Sequence, residues 1–250
     1  MLQRYFIRFS YDGTHYHGWQ IQPNGVSVQS TMTSIMQRYF GLELQLTAAG
    51  RTDAGVHATT MYAHFDTDKP LEDLTALANK LTYMMPPDIA VQAVLPVTPD
   101  ANARFDALSR TYEYRMSAVK NPFARQYVAP FYGPLNVKAM NEAAATLFDY
   151  TDFTSFSKVH TDVKTNNCRI MKAEWQERGE ELVFVVQADR FLRNMVRAIV
   201  GTLLQVGRGK LDTAGFRAVI EQKERCAAGT SVEAKGLFLV DIQYPDRIFR

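Results

Sequence analysis

Cysteine is nearly absent from this chain: its 250 residues include only Cys168 and Cys226, far apart and with no CxxC partner. That count excludes a disulfide framework and a thiolate zinc site, and both residues are expected as free thiols. Histidine is scarce as well, five in all. The one close pair, His15-x-His17, has neither the helical i,i+4 spacing nor the supporting carboxylate of a metal motif, so no metal is expected. Apolar runs of membrane-spanning length are missing, and no membrane association is expected. Met1-Leu2-Gln3-Arg4-Tyr5 lacks the apolar core of a signal peptide, which makes the cytoplasm the expected location. Neither sign of charge dominates: the formal net charge is +2. A nucleic-acid partner therefore has to be argued from where the charges sit rather than from their sum.

What is present is a chain that is 46% hydrophobic, enough for one large core or two modest ones. Arg4 to Tyr11 alternates as a strand, with Tyr5, Ile7, Phe9 and Tyr11 on one face and Arg4, Arg8 and Ser10 on the other. The spacing predicts a helix from Ser27 to Tyr39, capped by Ser27 and ended by Gly41. Alternating Leu42, Leu44 and Leu46, then Met61, Ala63 and Phe65, predict two strands around a turn. A helix follows Pro70 and stops at Pro86-Pro87, and Ile89 to Val97 reads as a strand. The order β-α-β-β-α-β is that of a ferredoxin-like unit, whose antiparallel sheet can leave one face for a ligand.

The second half repeats that pattern without repeating residues. Ser109 to Ala118, Ile170 to Trp175, Leu182 to Ala188 and Leu237 to Tyr244 read as strands, and Val137 to Leu147 and Thr213 to Lys223 as helices. A longer helix is predicted from Phe191 to Val206, with Leu192, Met195, Val196, Ile199 and Leu203 inward and Arg190, Arg193, Arg197 and Gly201 opposite. The expected architecture is α+β with two domains, residues 1–101 and 102–250, the boundary falling near Pro99 to Asn102.

Three features carry candidate chemistry. Ala48-Ala49-Gly50-Arg51-Thr52-Asp53-Ala54-Gly55-Val56-His57-Ala58 puts one carboxylate on a small-residue turn, with Arg51 and His57 as positive or proton-donating neighbours. Such a cluster is either an ordinary turn or a site that a ligand can approach closely. The arginines opposite the apolar stripe are either a solvated face or a phosphate-binding one, and Gly201 among them marks a close approach. Arg104, Arg110 and Arg115 interleave with Phe105, Tyr112 and Tyr114 at strand spacing. The aromatics are either core residues or a platform for a nucleobase, worth about 1–3 kcal/mol per stacked base.

Gly50-Arg51-Thr52-Asp53-Ala54-Gly55-Val56-His57-Ala58 closely resembles the signature of the TruA family of tRNA pseudouridine synthases. The likeness extends along the chain through Tyr11-Asp12-Gly13, Gly18-Trp19-Gln20, Ala103-Arg104-Phe105, Arg110-Thr111-Tyr112-Glu113-Tyr114, Asp152-Phe153-Thr154-Ser155-Phe156, Met195 to Gly201 and Gly236-Leu237-Phe238-Leu239. One departure is Val232-Glu233-Ala234-Lys235, where many relatives carry a proline. The resemblance implies two ferredoxin-like domains with sheets joined around a central basic cleft, a homodimer, and cofactor-free isomerisation of uridine to pseudouridine in the tRNA anticodon stem-loop at positions 38–40. It implies Asp53 as the catalytic carboxylate, Arg197 as its ion-pair partner, Tyr112 as the ring stacked on the target base, and Arg51 as a contact to the flipped nucleotide. His57, Arg104, Arg110 and Arg193 complete the expected substrate-binding set, and Lys120 to Gln126 and Ser157 to Asn166 look like the family's variable tRNA-gripping loops.

Overall fold

The computed structural model describes residues 2–158 and 165–250. Nine strands and five α-helices among them make the chain mixed α and β, in the expected class. Two compact units divide it, Met1–Leu108 with Leu239–Arg250, and Ser109–Phe238. Among the described residues no helix is long and apolar enough to cross a membrane.

In the first unit, β1 (Gln3–Tyr11) lies between β3 (His57–Thr67) and β4 (Ile89–Pro96), antiparallel to both. Its register pairs Tyr5 with Phe65, Ile7 with Ala63 and Phe9 with Met61, so the expected apolar stripe shares one face across two strands. Two helices follow their sequence signals. In α1 (Val28–Phe40), Ser27 and Ser30 form a capping box and Gly41 ends the helix in the left-handed region at φ 67°. Phe40 then lies against Phe65, ring centroids 5.9 Å apart. In α2 (Leu74–Met84) the cap is Asp73, and Thr82 Oγ1 donates to the Val91 carbonyl at 2.6 Å, tying the helix to β4.

One expectation fails in this unit for an identifiable reason. The alternating Leu42, Leu44 and Leu46 do not form a strand; the segment pairing with β3 is β2 (Thr47–Ala48) alone. Leu44 and Leu46 are buried, but their carbonyls accept from Gln37 Nε2 at 3.1 Å and Gln29 Nε2 at 2.8 Å, so helix side chains occupy the acceptors a ladder would use. The second face of β1 carries more than the expected Arg4, Arg8 and Ser10. Phe6 is fully buried there among Val97, Ala101, Ala103 and Ile248, beside an Arg4–Asp66 fork with Nε–Oδ1 and Nη2–Oδ2 both 2.8 Å. Strand β9 (Leu237–Gln243) enters this unit at Leu239 and lies beside β3.

The second unit is built on β5 (Ser109–Ser117), β7 (Ile170–Arg178) and β8 (Glu181–Ala188), in the order β5-β8-β7, with the short β6 (Ala129–Pro130) parallel to β5. Its helices are α3 (Val137–Ala145), α4 (Met195–Gly207) and α5 (Thr213–Gln222). Buried residues run almost all the way round α4, the mark of a core helix rather than a surface one. That helix begins at Met195 and not at Phe191, because Asn194 adopts the left-handed conformation at φ 67° and donates through Nδ2 to Ser231 Oγ at 2.6 Å. Arg190 and Arg193 therefore precede the helix, and the expected face of three arginines does not exist. Gly201 does mark a close approach: a Cβ there would sit 2.0 Å from the Thr230 carbonyl oxygen. Both cysteines are free, and burial pushes the Cys168 thiol up to about 12.

Candidate active site

The loop between β2 and β3 is shaped by backbone packing. Gly18, at φ 82°, lies so close beneath it that a Cβ would stand 2.3 Å from the Thr52 carbonyl oxygen and 3.0 Å from the Asp53 carbonyl carbon. Gly13 is tighter still, its hypothetical Cβ 2.0 Å from the Val56 carbonyl oxygen. Hydrogen bonds complete the clamp: Trp19 N donates to Thr52 O at 3.2 Å, Gly55 N to Tyr16 O at 3.3 Å, and Val56 N back to Asp53 O at 3.2 Å. Tyr11 and Thr52 join their hydroxyls at 2.8 Å in a buried contact. The Asp53 carboxylate, half-buried, thus stands on a peptide fixed on both sides. Arg51 and Gly50 rise beside it, the arginine exposed and the glycine with open space where a side chain would be.

His57 begins β3 and is 2% exposed, a strut under the loop rather than a group on its surface. Its Nδ1 accepts the Gly13 N–H at 3.0 Å and lies 3.0 Å from Asp12 Oδ1. One nitrogen cannot serve both partners. In the neutral ring Nδ1 receives the Gly13 N–H, and a protonated ring would donate to Asp12 instead. Asp12 Oδ1 also accepts from Thr14 N at 2.9 Å and Thr14 Oγ1 at 2.5 Å. Arg104 belongs to the same unit but to a separate turn, where its guanidinium lies 5.5 Å from the centroid of the Phe105 ring.

In the second unit, Tyr112 sits on β5 opposite Val186, 9% exposed, with Phe191 edge-on at 5.1 Å. Tyr114, which shares its face, is fully buried. Burial and the nearby Glu233 charge raise its hydroxyl pKa well above the ordinary range, so it stays protonated. Arg110 Nη1 donates to the Asp189 carbonyl at 2.7 Å, and Arg190 Nη1 to the Thr165 carbonyl at 3.2 Å. Arg193 is exposed, while Arg197, half-buried on the first turn of α4, donates Nε to the Val232 carbonyl at 2.7 Å. Val232 N returns a bond to the Arg197 carbonyl at 3.2 Å, and Arg225 Nη2 reaches Ser231 Oγ at 2.7 Å. The proline-less stretch is therefore strapped along α4. Arg115 takes a different part: it pairs with Glu113 Oε2 at 2.9 Å, while Arg178 holds Oε1 at 2.7 Å.

Arg51 and Asp53 thus share one loop that runs into β3 at His57, Arg110 and Tyr112 share one strand, and Arg193 and Arg197 flank Asn194. Sequence reasoning did not find Gly13, Gly18 or Phe191; the motif Tyr11-Asp12-Gly13 with Gly18-Trp19-Gln20 pointed to the right segment, but its glycines act through tertiary contact. Of the two expected gripping loops, residues 159–164 lie outside the described residues, and Lys120 to Gln126 carries Phe123 at 94% exposed. Among the described residues no three His, Cys, Asp or Glu side chains gather as metal ligands would.

Comparison with known proteins places these elements in one family. A family model described as tRNA pseudouridine synthase matches residues 7–106 and 143–245. The chain is 57% identical over 249 residues to tRNA pseudouridine synthase A of Bacteroides fragilis, covering 99% of each. It is 58% identical over 251 residues to the protein of that name from Bacteroides thetaiotaomicron, covering 99% of this chain and 93% of the relative. A more distant relative of the same name, from Geobacter sulfurreducens, is 39% identical over 236 residues, 94% of this chain and 96% of its own.

Proposed function

The chain belongs to the tRNA pseudouridine synthase family, and from that premise we propose that it isomerises uridine to pseudouridine in the anticodon stem-loop of tRNA, at positions 38–40, with Asp53 as the catalytic carboxylate. The reaction breaks the N1–C1′ bond, joins C5 to C1′ and releases the C5 proton, while N1 ends protonated. No electron is gained or lost and no group comes from outside, so no cofactor is required. What is required is a carboxylate held at the sugar-base junction, a wall that retains the detached base, and exclusion of water.

The observation that carries the assignment is the clamped loop: a half-buried aspartate on a peptide that Gly13 and Gly18 allow to be gripped from beneath, opening toward small residues and an exposed arginine. Tyr112 is assigned the stacking face, and Arg197 the role of ion-pair partner to the Asp53 carboxylate. A paired or stacked target must be flipped out at a cost of a few kcal/mol, which stacking and arginine contacts offset. Arg51, Arg104, Arg110 and Arg193 are assigned phosphate or nucleotide contacts, and His57 acts through the loop it supports. Two ferredoxin-like domains, 1–101 and 102–250, suit this division of roles. The order β4-β1-β3 with β2 on β3 supports that reading for the first. The same reading makes the protein a cytoplasmic homodimer.

Whichever route the carboxylate takes, by addition or by proton removal, the C5 hydrogen leaves. Asp53→Asn is expected to keep tRNA affinity and lose release of tritium from 5-tritiated uridine in tRNA. Release at the wild-type rate would overturn the assignment.

A further inference from the structure

The turn from Asn102 to Asp106 is fastened with unusual completeness for a surface segment. Asn102 N donates to Asp106 Oδ2 at 2.7 Å and Asp106 N to the Asn102 carbonyl at 3.0 Å, while Asn102 Oδ1 accepts from Arg104 N at 2.9 Å and Phe105 N at 3.2 Å. Ala103 ties the turn to the sheet beneath: its N–H donates to His64 Nδ1 at 3.1 Å and its carbonyl accepts from the Tyr244 hydroxyl at 2.5 Å. His64 and Tyr244 are in turn wedged against Phe6.

This rigid frame displays a large apolar ring in water. Phe105 is 76% exposed, with the Arg104 guanidinium over its face. An exposed ring forgoes the stabilisation of burial, and a turn held this firmly has little conformational freedom left to lose when a partner arrives. The ring and Leu108, 54% exposed three residues on, remain a small apolar surface beside Asn102, Arg104 and Asp106, well short of the roughly 800 Å² per partner of a stable protein interface. Its chemistry, a flat apolar face with a cation beside it, matches a splayed nucleobase stacked on the ring with its phosphate near the arginine. We propose that Phe105, backed by Arg104, is a stacking post for an unpaired nucleotide of the RNA substrate, and that His64 and Tyr244 are the positioning residues that hold it. The proposal rests on the tRNA-modifying reading above.

The test measures the affinity of a labelled tRNA transcript by fluorescence anisotropy, together with kcat and KM from tritium release. Phe105→Ala is expected to weaken binding and raise KM about tenfold with kcat retained, and Phe105→Trp to stay within about twofold of wild type. Tyr244→Phe, which removes the hydroxyl holding Ala103, should raise KM by a smaller factor of about two to three and leave kcat alone. Phe105→Ala with unchanged affinity and KM, or Phe105→Trp behaving as the alanine variant does, overturns the proposal. Weakened binding by Phe105→Ala in a protein whose wild type releases no tritium would sustain the stacking post and sink the isomerase reading.

Discussion

Around Asp53 the chain is positioned by backbone against backbone; around Arg197 it is positioned by side chains reaching for carbonyls. Gly13 and Gly18 let two stretches of main chain approach more closely than any Cβ would allow, and Asp53 inherits its place from that packing. Arg110, Arg190 and Arg197 are instead each aimed by a bond to a carbonyl, at Asp189, Thr165 and Val232. The first device fixes a short side chain that has little reach of its own, and it tolerates no added atom beneath the loop. The second directs long, flexible side chains by fixing the planar fork at their ends. The proposed roles suit this difference: a carboxylate that is to catalyse must be placed to within a fraction of an ångström, whereas an arginine that is to pair with a carboxylate or phosphate needs a direction.

The largest expected effect comes from breaking the first device. Gly18→Ala places a methyl group against the Thr52 carbonyl in a backbone conformation that L residues rarely adopt, at φ 82°. We expect it to cost about 2–4 kcal/mol in urea unfolding and to lower kcat by at least about a hundredfold. Gly50→Ala is the internal control, since nothing lies within 4 Å of its added Cβ; its stability should change by no more than about 0.5 kcal/mol. Wild-type turnover in Gly18→Ala would show that the loop does not take its working geometry from the glycine contact.

Breaking the second device should damage activity more than stability. Arg197→Lys keeps the charge but loses the planar fork and the Nε donor that the Val232 carbonyl receives. The expected result is a fall in kcat of about a hundredfold with a stability change under about 1 kcal/mol, because the strap beside α4 keeps the Val232 N–H bond to the Arg197 carbonyl. Equal turnover in the lysine variant would mean that a point charge suffices, and that the carbonyl-directed fork has no part in catalysis.

What the sequence disclosed follows the same division. Local signals were legible: Ser27 and Gly41 bound α1, the small residues around Asp53 marked an open turn, and Gly201 marked a close approach that the structure places against Thr230. Signals that depend on tertiary neighbours were not. Leu44 and Leu46 are buried at strand-like spacing without a ladder, because Gln29 and Gln37 of α1 take their carbonyls. Periodicity ran the arginine helix through Asn194, whose left-handed φ is stabilised by a bond to Ser231 that lies 37 positions further along. The alternation of Arg4 to Tyr11 gave Phe6 no role, yet the C-terminal Ile248 and Phe249 return to cover it.

The smallest effect separates the two units by pH. In the first, burial, aided by the Arg4 charge, lowers the His64 pKa from 6.5 to about 4, against opposing pulls from Asp66 and Asp106. The folded state therefore prefers the neutral ring, whose Nδ1 accepts the Ala103 N–H. This contribution is complete above the unfolded pKa of 6.5 and is lost as the pH falls toward 4, because the unfolded chain takes up the proton first. In the second unit, burial of Glu113 opposes ionisation, but the hydrogen bonds and charges of Arg178 and Arg115 prevail and hold its pKa below 4.5. The stability from Glu113 is therefore present above 4.5 and fades only at lower pH, as the carboxylate protonates in the fold. From pH 6.5 down to 4.5, His64 therefore acts without Glu113. Moving from pH 7.5 to 5.0 should cost the wild type about 1–2 kcal/mol in urea unfolding, and His64→Gln, whose amide oxygen still accepts the Ala103 N–H, should lose much less. A glutamine variant with the full wild-type loss would place the acid sensitivity elsewhere and leave the two units alike in their response to pH.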